Sequence, residues 1–286
     1  MAKPSLSYCA REVRRLDHDR YLAALFAPQE RREALFALYA FNQEIARIPE
    51  LVSESLLGHI RLQWWRDAIE GIYRGAPVRH AVVEPLAHAI ETRSLSRGEF
   101  DRLLEIREFD LEQRQPEDLA ELESYVEGTT ATLARLGLEA LDARTPATET
   151  AARHGALGFG LTGLLRAVPF HARQRRCYLP RDVAQDARLD PDSLYALKSS
   201  EALRRACATI AGRADEHLAQ ARAQRGAVGR SGAGRAARPV LLWASLAHNS
   251  LERLRRARFD PFDPGVQAPA PGRVWRLAWR HWTGRY

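Results

Sequence analysis

The sequence has little that would suit a secreted, membrane-spanning or metal-clustering protein. Its three cysteines lie far apart and none shows CxxC spacing, which excludes a zinc knuckle and a disulfide framework. The longest apolar run, 34–41, has eight residues, against the roughly 20 that a membrane-spanning helix needs. The N-terminal residues carry charge where a signal peptide would be apolar. We therefore expect a protein of a reducing compartment that is soluble or bound to the periphery of a membrane.

Lysine is almost absent, because Lys3 and Lys198 are the only two and every other basic residue is an arginine. The net charge of +7 is unevenly distributed, with 16 arginines and five acidic residues in the segment 204–286. The rest of the chain is therefore slightly acidic. A positive C-terminal third favours anionic partners such as lipid headgroups or diphosphates. We expect no nucleic-acid partner, since no recognisable nucleic-acid module accompanies these charges.

What the chain does contain is helical periodicity. With 286 residues, 45% of them hydrophobic, it can bury a sizeable core. Apolar residues recur at helical spacing between clusters of glycine and proline, which predicts an all-α protein. The predicted helices cover 29–47, 55–73, 83–94, 97–112, 119–141, 154–168, 193–258 with a break at 225–238, and 273–282.

The predicted organisation is one helical domain, 1–258, followed by a Pro-rich linker, 259–272, and a short tail, 273–286. Pro169 is expected to end or kink its helix. Residues 173–191 are expected to form a loop with a short extended piece at 177–180.

Two patterns imitate catalytic motifs. The segment GFGLTG at 158–163 matches the GxGxxG pattern of dinucleotide-binding folds, but the residues before it predict a helix where that fold needs a strand. We interpret its glycines as a flat helix face for close packing. Three acid pairs at helical spacing could each present two carboxylates to Mg²⁺, although such pairs usually lie in solvent. These pairs are Glu50/Glu54, Glu117/Glu121 and Glu123/Glu127.

The C-terminal segment carries three of the six tryptophans at helical spacing, Trp275, Trp279 and Trp282. Arginines flank them, among them Arg276 and Arg280. This pattern is typical of a helix in a membrane interface. An aromatic stripe that docks on the protein's own core or on a partner protein explains it equally well.

Several ordered motifs resemble the squalene/phytoene synthase family. They are RREALFALYAF at 31–41, QWWR at 63–66, VEGT at 126–129, LTGLLR at 161–166 and RCYLP at 176–180. The resemblance runs from about residue 7 to residue 258. It implies the isoprenoid synthase fold, in which a single helical bundle surrounds a central apolar cavity.

In active members of that family, two aspartate-rich motifs on facing helices hold the Mg²⁺ ions that ionise prenyl diphosphates. The resemblance places Ala46 and Arg47 at aspartate positions of the first motif, together with Glu50. It places Ala167 and His171 at the aspartates of the second motif. Four of the five positions thus lack a carboxylate, and Mg²⁺ would keep its water at such a site. We therefore expect no catalytic residue, no metal and no cofactor.

The altered motifs resemble most the non-catalytic branch of complex I assembly factors in mitochondria and their bacterial relatives. The resemblance implies a pseudoenzyme that helps to assemble NADH:quinone oxidoreductase with a protein partner. It implies a cytoplasmic protein at the inner membrane surface, or one on the matrix side in mitochondria. The arginine-rich composition and the missing transit peptide favour a bacterial source.

Two alternatives stay open. A working prenyltransferase would bind Mg²⁺ through improvised ligands, for which Glu50, Glu54, Glu123 and Glu127 are the candidates. A membrane-surface module would act through the tryptophan tail alone. If the cavity holds a ligand, an isoprenoid or quinone tail is the candidate. The candidate cavity-lining or anion-binding residues are Asn42, Glu44, Arg47 and Arg166.

Overall fold

The computed structural model describes residues 6–52, 54–112, 114–268 and 272–286. Ser53 and the linker residues 269–271 lie outside this range. The described part of the chain is helical and contains no β-strand, which confirms the predicted fold class. The first ten helices are α1 (Tyr8–Leu16), α2 (His18–Ala24), α3 (Gln29–Ala46), α4 (Ile48–Leu51), α5 (Ser55–Tyr73), α6 (Val83–Arg93), α7 (Arg97–Ile106), α8 (Glu108–Leu111), α9 (Leu119–Val126) and α10 (Thr132–Ala140). The others are α11 (Pro146–Arg173), α12 (Arg181–Asp186), α13 (Pro191–Tyr195), α14 (Glu201–Ala223), α15 (Arg225–Arg230), α16 (Gly234–Arg256), α17 (Pro264–Gln267) and α18 (Arg273–Thr283).

The helix α11 is the central element of the bundle, and it packs against α14 on one side and α16 on another. Its start follows from local sequence, because the Thr145 side chain accepts a hydrogen bond from the backbone N–H of Thr148, and Pro146 occupies the first turn. The GxGxxG segment lies inside this helix. A Cβ on Gly158 would come within 2.6 Å of Leu218, and one on Gly160 within 2.4 Å of Val126. The glycines therefore serve close helix packing, as expected.

Pro169 does not end α11, which continues to Arg173, so of the two effects expected of this proline the helix end is not observed. Two other local predictions were wrong. The predicted helix 119–141 is interrupted by one π-helical turn, Glu127–Ala131, which inserts an extra residue that periodicity does not reveal. The predicted loop 173–191 contains the short helix α12.

The apolar core is continuous from the N-terminal helices to the C-terminus. Trp243 and Tyr39 are among its largest buried side chains, with ring centroids 5.8 Å apart. Val266 of the predicted linker and Leu277 of the tail are buried in the same core. The tail thus packs against the bundle through α16. Every helix in the described ranges is too short or too polar to cross a lipid bilayer.

Candidate functional site

A cavity of about 410 Å³ opens between the C-terminal end of α3, the second half of α11 and the π-helical turn. The end of α3 supplies Asn42, and the turn supplies Thr129 and Thr130. Gly163 of α11 lines the wall, where no atom lies within 4 Å of the position its Cβ would take. Helix packing therefore leaves a hollow at this point of the bundle.

The structure brings all five altered motif positions together in this cavity. Ala46, Arg47 and Glu50 line one side, and Ala167 and His171 line the other. Each residue turns a helix by about 100°, so Ala167 and His171, four residues apart, share one face of α11. The two motif segments thus face each other, as the family resemblance implies.

Two of the candidate residues do not face this cavity, so the prediction that they line it was wrong. Glu44 lies two residues beyond Asn42 on α3, so its side chain lines a separate groove next to Trp64. Arg166 points away from its neighbour Ala167 into a second cavity, of about 360 Å³, where it pairs with Asp19 at 3.1 Å. Asn42 and Arg47 do line the main cavity.

A network of polar side chains forms one wall of the cavity around the buried carboxylate of Asp110. The hydroxyls of Tyr125 and Tyr178 donate to its Oδ1 at 2.8 and 2.7 Å, and the guanidinium of Arg107 donates to its Oδ2 at 3.0 Å. Arg107 also donates to the side-chain oxygen of Asn42 at 3.2 Å. Asp110 is only 4% exposed, so each of these bonds is shielded from water.

The protonation states in this wall follow from burial. Burial, reinforced by the charge of Asp110, raises the pKa of Tyr125 and of Tyr178, so both phenols remain donors at neutral pH. Burial alone would lower the pKa of Arg107, but Tyr125 and Asp110 more than offset this and raise it. Burial lowers the pKa of His171 to about 4. His171 is therefore neutral at pH 7, and its ring packs against that of Tyr178 at a tilt of 46°, with ring centroids 4.6 Å apart.

Every carboxylate that lines the cavity already has an arginine partner. Asp17 pairs with Arg20 at 2.5 Å, Glu50 pairs with Arg47 at 3.4 Å, and Asp110 pairs with Arg107. A further arginine, Arg176, lies beside Glu50 and contacts the carbonyl of Pro49 at 3.5 Å.

These residues do not fit the Mg²⁺ that the fold family implies. Hard cations need several carboxylate oxygens that are not already neutralised, whereas the four lining arginines outnumber the three lining acids. Within the described ranges, no cluster of three or more histidine, cysteine, aspartate or glutamate side chains could hold a metal ion.

The acid pairs that the alternative reaction would use are not assembled into one site. Glu123 pairs with Arg213, and Glu127 pairs with Arg135 at 3.0 Å and with Arg153 at 2.8 Å. Neither glutamate lines the cavity that contains Glu50. The four improvised ligands therefore do not converge on a common ion.

The tail helix α18 presents its tryptophans to solvent. Trp275, Trp279 and Trp282 are 81%, 59% and 75% exposed, so the stripe does not dock on the protein's own core. Arg276 is exposed beside them. Arg280 was predicted to flank this stripe, but it points inward and donates to the hydroxyl of Ser245 at 3.0 Å, because it lies on the opposite side of the helix.

The family model of squalene/phytoene synthase matches residues 13–283. The chain belongs to the squalene/phytoene synthase family. Solved structures show that the chain has the isoprenoid synthase fold. The chain matches a dehydrosqualene synthase with a TM-score of 0.81, at 16% identity and over 96% of this chain and 94% of the other. It matches a squalene synthase from Alicyclobacillus acidocaldarius with a TM-score of 0.75, at 18% identity and over 88% of this chain and 94% of the other.

Within the squalene/phytoene synthase family, the chain is similar to two kinds of characterised protein. It is 30% identical to NADH dehydrogenase (ubiquinone) complex I, assembly factor 6, of Homo sapiens over 91% of this chain and 77% of that protein. It is 26% identical to the presqualene diphosphate synthase of Sinorhizobium fredii over 70% of this chain and 71% of that protein. The predicted resemblance to the family and to its assembly-factor branch is confirmed.

The wall around Asp110 was not predicted from the sequence. Tyr178 was noted only as part of the RCYLP motif, and Arg107 and Tyr125 were not singled out. One signal was present, because Asp110 lies directly between the apolar residues Phe109 and Leu111, and an acid with apolar neighbours is a candidate for a buried, partnered carboxylate.

Proposed function

We propose that this protein is a non-catalytic member of the squalene/phytoene synthase family that assists the assembly of respiratory complex I. The observation that carries the proposal is the charge balance of the cavity, in which every lining carboxylate is paired with an arginine. The similarity to complex I assembly factor 6 over most of the chain supports the same function.

The charge balance matters because of the reaction that the fold performs elsewhere. A prenyl diphosphate ionises when Lewis-acid metal ions stabilise the departing diphosphate. Alanine at two motif positions and neutral His171 at a third supply no negative charge for such ions. Arg47 places a positive charge where a metal ion would lie, and it occupies the one remaining glutamate, Glu50.

The assembly role requires a protein partner. We place the two proteins at the inner membrane surface, on its cytoplasmic side in bacteria or on the matrix side in mitochondria.

In this role the cavity serves as a binding site. Its volume falls within the usual range for small-molecule pockets. An isoprenoid or quinone tail is the ligand we propose, with its head beside the half-buried Arg47 and Arg176. Mass spectrometry of lipids extracted from the purified protein tests this part, and recovery of no such lipid contradicts it.

Deletion of the gene tests the assembly role. We expect lower NADH:quinone oxidoreductase activity and less assembled complex in membranes, both restored by the plasmid-borne gene. Succinate:quinone oxidoreductase is the control, and its activity should not change. Normal levels of assembled complex I in the deletion strain would refute the proposal.

The second candidate function is head-to-head condensation of prenyl diphosphates, which the similarity to presqualene diphosphate synthase favours. Purified protein is incubated with farnesyl diphosphate, Mg²⁺ and NADPH, and diphosphate release and hydrocarbon products are measured. The presqualene diphosphate synthase serves as the positive control. We expect no turnover above buffer, and Mg²⁺-dependent release of diphosphate would reverse the ranking of the two functions.

A further inference from the structure

The tail helix α18 has one face that nothing in the described structure covers. At about 100° per residue, Trp275, Trp279 and Trp282 fall within an arc of about 60°. The rings of Trp279 and Trp282 lie 5.6 Å apart and form one aromatic surface. At about 200 Å² for a fully exposed indole side chain, the three together offer roughly 400 Å² to solvent. A patch of this size marks a binding surface rather than a scatter of single apolar residues.

The opposite side of α18 packs against the bundle. Leu277 is fully buried, Arg280 donates to Ser245, and Arg273 pairs with Asp19. The ring of His281 stacks on Phe26 at 4.9 Å. The helix is therefore held in one orientation, and its tryptophans point outward from a fixed position.

The ends of α18 are also defined. Gly272 before the helix and Gly284 after it have φ values of +66° and +70°, a conformation that side chains other than glycine rarely adopt. Beyond Gly284, Tyr286 is buried, and Arg225 donates to its carbonyl. The chain thus returns to the bundle on both sides of the exposed stripe.

Arginines from three helices surround the tail. Burial, with the nearby charges of Arg225, Arg222 and Arg276, lowers the pKa of Arg280. Burial, with the nearby charges of Arg238 and Arg235, lowers the pKa of His281. The geometry agrees, since a Cβ on Gly284 would lie 3.1 Å from the Arg238 guanidinium and Arg225 contacts Tyr286, so cations are crowded where the tail meets the bundle.

The crowded cations lack counter-charges of their own. Among the described residues, no carboxylate forms a salt bridge with Arg222, Arg235, Arg238, Arg276 or Arg285. Of these residues, Arg276 and Arg285 are exposed and belong to the tail itself, so they place uncompensated positive charge close to the tryptophans, which favours a negatively charged occupant.

We propose that α18 and the surrounding arginines dock this protein on the surface of a bilayer that contains anionic lipids. Indole rings favour the boundary between headgroups and acyl chains, and arginines beside them bind anionic headgroups. A second copy of the chain fits less well, because it would bring two uncompensated arginine surfaces together. The inference does not rest on the assembly role, since binding to lipid requires neither complex I nor an intact cavity.

Vesicle co-sedimentation of the full-length protein tests the proposal. The probes are vesicles of phosphatidylcholine alone and of phosphatidylcholine with phosphatidylglycerol. We expect binding to the anionic vesicles, weakened at high salt because screening shortens the range of the arginine charges. The variant W275A/W279A/W282A should bind at least tenfold more weakly, and the matched control Trp64→Ala, at an exposed tryptophan of α5, should bind as the parent does.

A second pair of variants isolates the charge. Each surface arginine contributes roughly fivefold in affinity, so Arg276→Gln with Arg285→Gln should weaken binding roughly 25-fold. Arg61→Gln with Arg79→Gln, at exposed arginines outside the tail, should leave it unchanged. Brominated lipids should quench the parent's tryptophan fluorescence far more than that of the triple variant, which retains Trp64, Trp65 and Trp243.

Two outcomes would overturn the proposal. The first is failure of the parent protein to bind anionic vesicles, or equal binding by the triple tryptophan variant. The second is a dimeric parent and a monomeric triple variant in analytical ultracentrifugation, which would assign the stripe to contacts between copies. If the purified protein binds anionic vesicles as expected but deletion of its gene leaves complex I unaffected, only the assembly role is refuted.

Discussion

Replacing Asp110 with asparagine should destabilise the cavity wall strongly. The carboxylate is buried and accepts hydrogen bonds from Arg107, Tyr125 and Tyr178. Asparagine can still accept the two tyrosine hydroxyls at its oxygen, but its amide then faces the Arg107 guanidinium, donor against donor. The substitution also leaves the positive charge of Arg107 buried without a counter-charge. Breaking a buried pair in this way costs about 3–5 kcal/mol, which corresponds to a fall in Tm of roughly 10 °C.

Urea denaturation followed by circular dichroism measures the effect, and a double-mutant cycle with Arg107→Met isolates the interaction. The free energy of unfolding of the double variant should fall by at least about 2 kcal/mol less than the sum of the decreases in the two single variants. The reason is that Arg107→Met removes the buried positive charge that Asp110→Asn leaves without a counter-charge. The control is Glu70→Gln at the exposed pair Glu70–Arg74, which should cost less than about 1 kcal/mol. Additive losses from Asp110→Asn and Arg107→Met would refute the reasoning.

Three further predictions concern the same region. Gly160→Ala should destabilise the protein by about 1–3 kcal/mol through overpacking, whereas Gly163→Ala, at an open position of the same helix, should stabilise it by up to about 1 kcal/mol; thermal unfolding distinguishes the two signs. Folding lowers the pKa of His171 from 6.5 to about 4. Between these two pH values the unfolded chain binds a proton at His171 that the folded chain does not, so the free energy of unfolding decreases as the pH falls. The parent should lose about 3 kcal/mol more than His171→Gln between pH 6.5 and 4, and parallel stability curves would contradict this. Ala46→Asp with Arg47→Asp should give a rise in Tm with added Mg²⁺ that the parent lacks, and an equal rise in both would show that the present cavity already binds the ion.

The sequence was informative where structure depends on neighbours along the chain. The bounds of α5 were predicted as observed, because Gly75 and Pro77 follow it and its apolar residues keep helical spacing. The π-helical turn Glu127–Ala131 was missed, since one extra residue in a turn leaves the apolar pattern around it nearly unchanged.

The candidate site was likewise predicted only where neighbouring residues in the sequence carry the information. The motif positions were identified because the family motifs surround them in sequence. The partners of those residues could not be identified in this way. Asp110 and Tyr178 are separated by 68 residues, and only the folded bundle brings their side chains into contact. The orientation of Arg166 likewise depends on how α11 is rotated within the bundle, which sequence spacing alone does not determine.

The wall around Asp110 also determines what kind of space the cavity is. It links Asn42 of α3 to Tyr125 of α9 and to Tyr178 beyond α11, so one set of bonds holds apart elements that are distant in the sequence. A cavity whose walls are held in place by hydrogen bonds is preorganised, so a ligand that enters it does not have to order those walls. The cavity can therefore keep a constant shape whether or not a ligand occupies it.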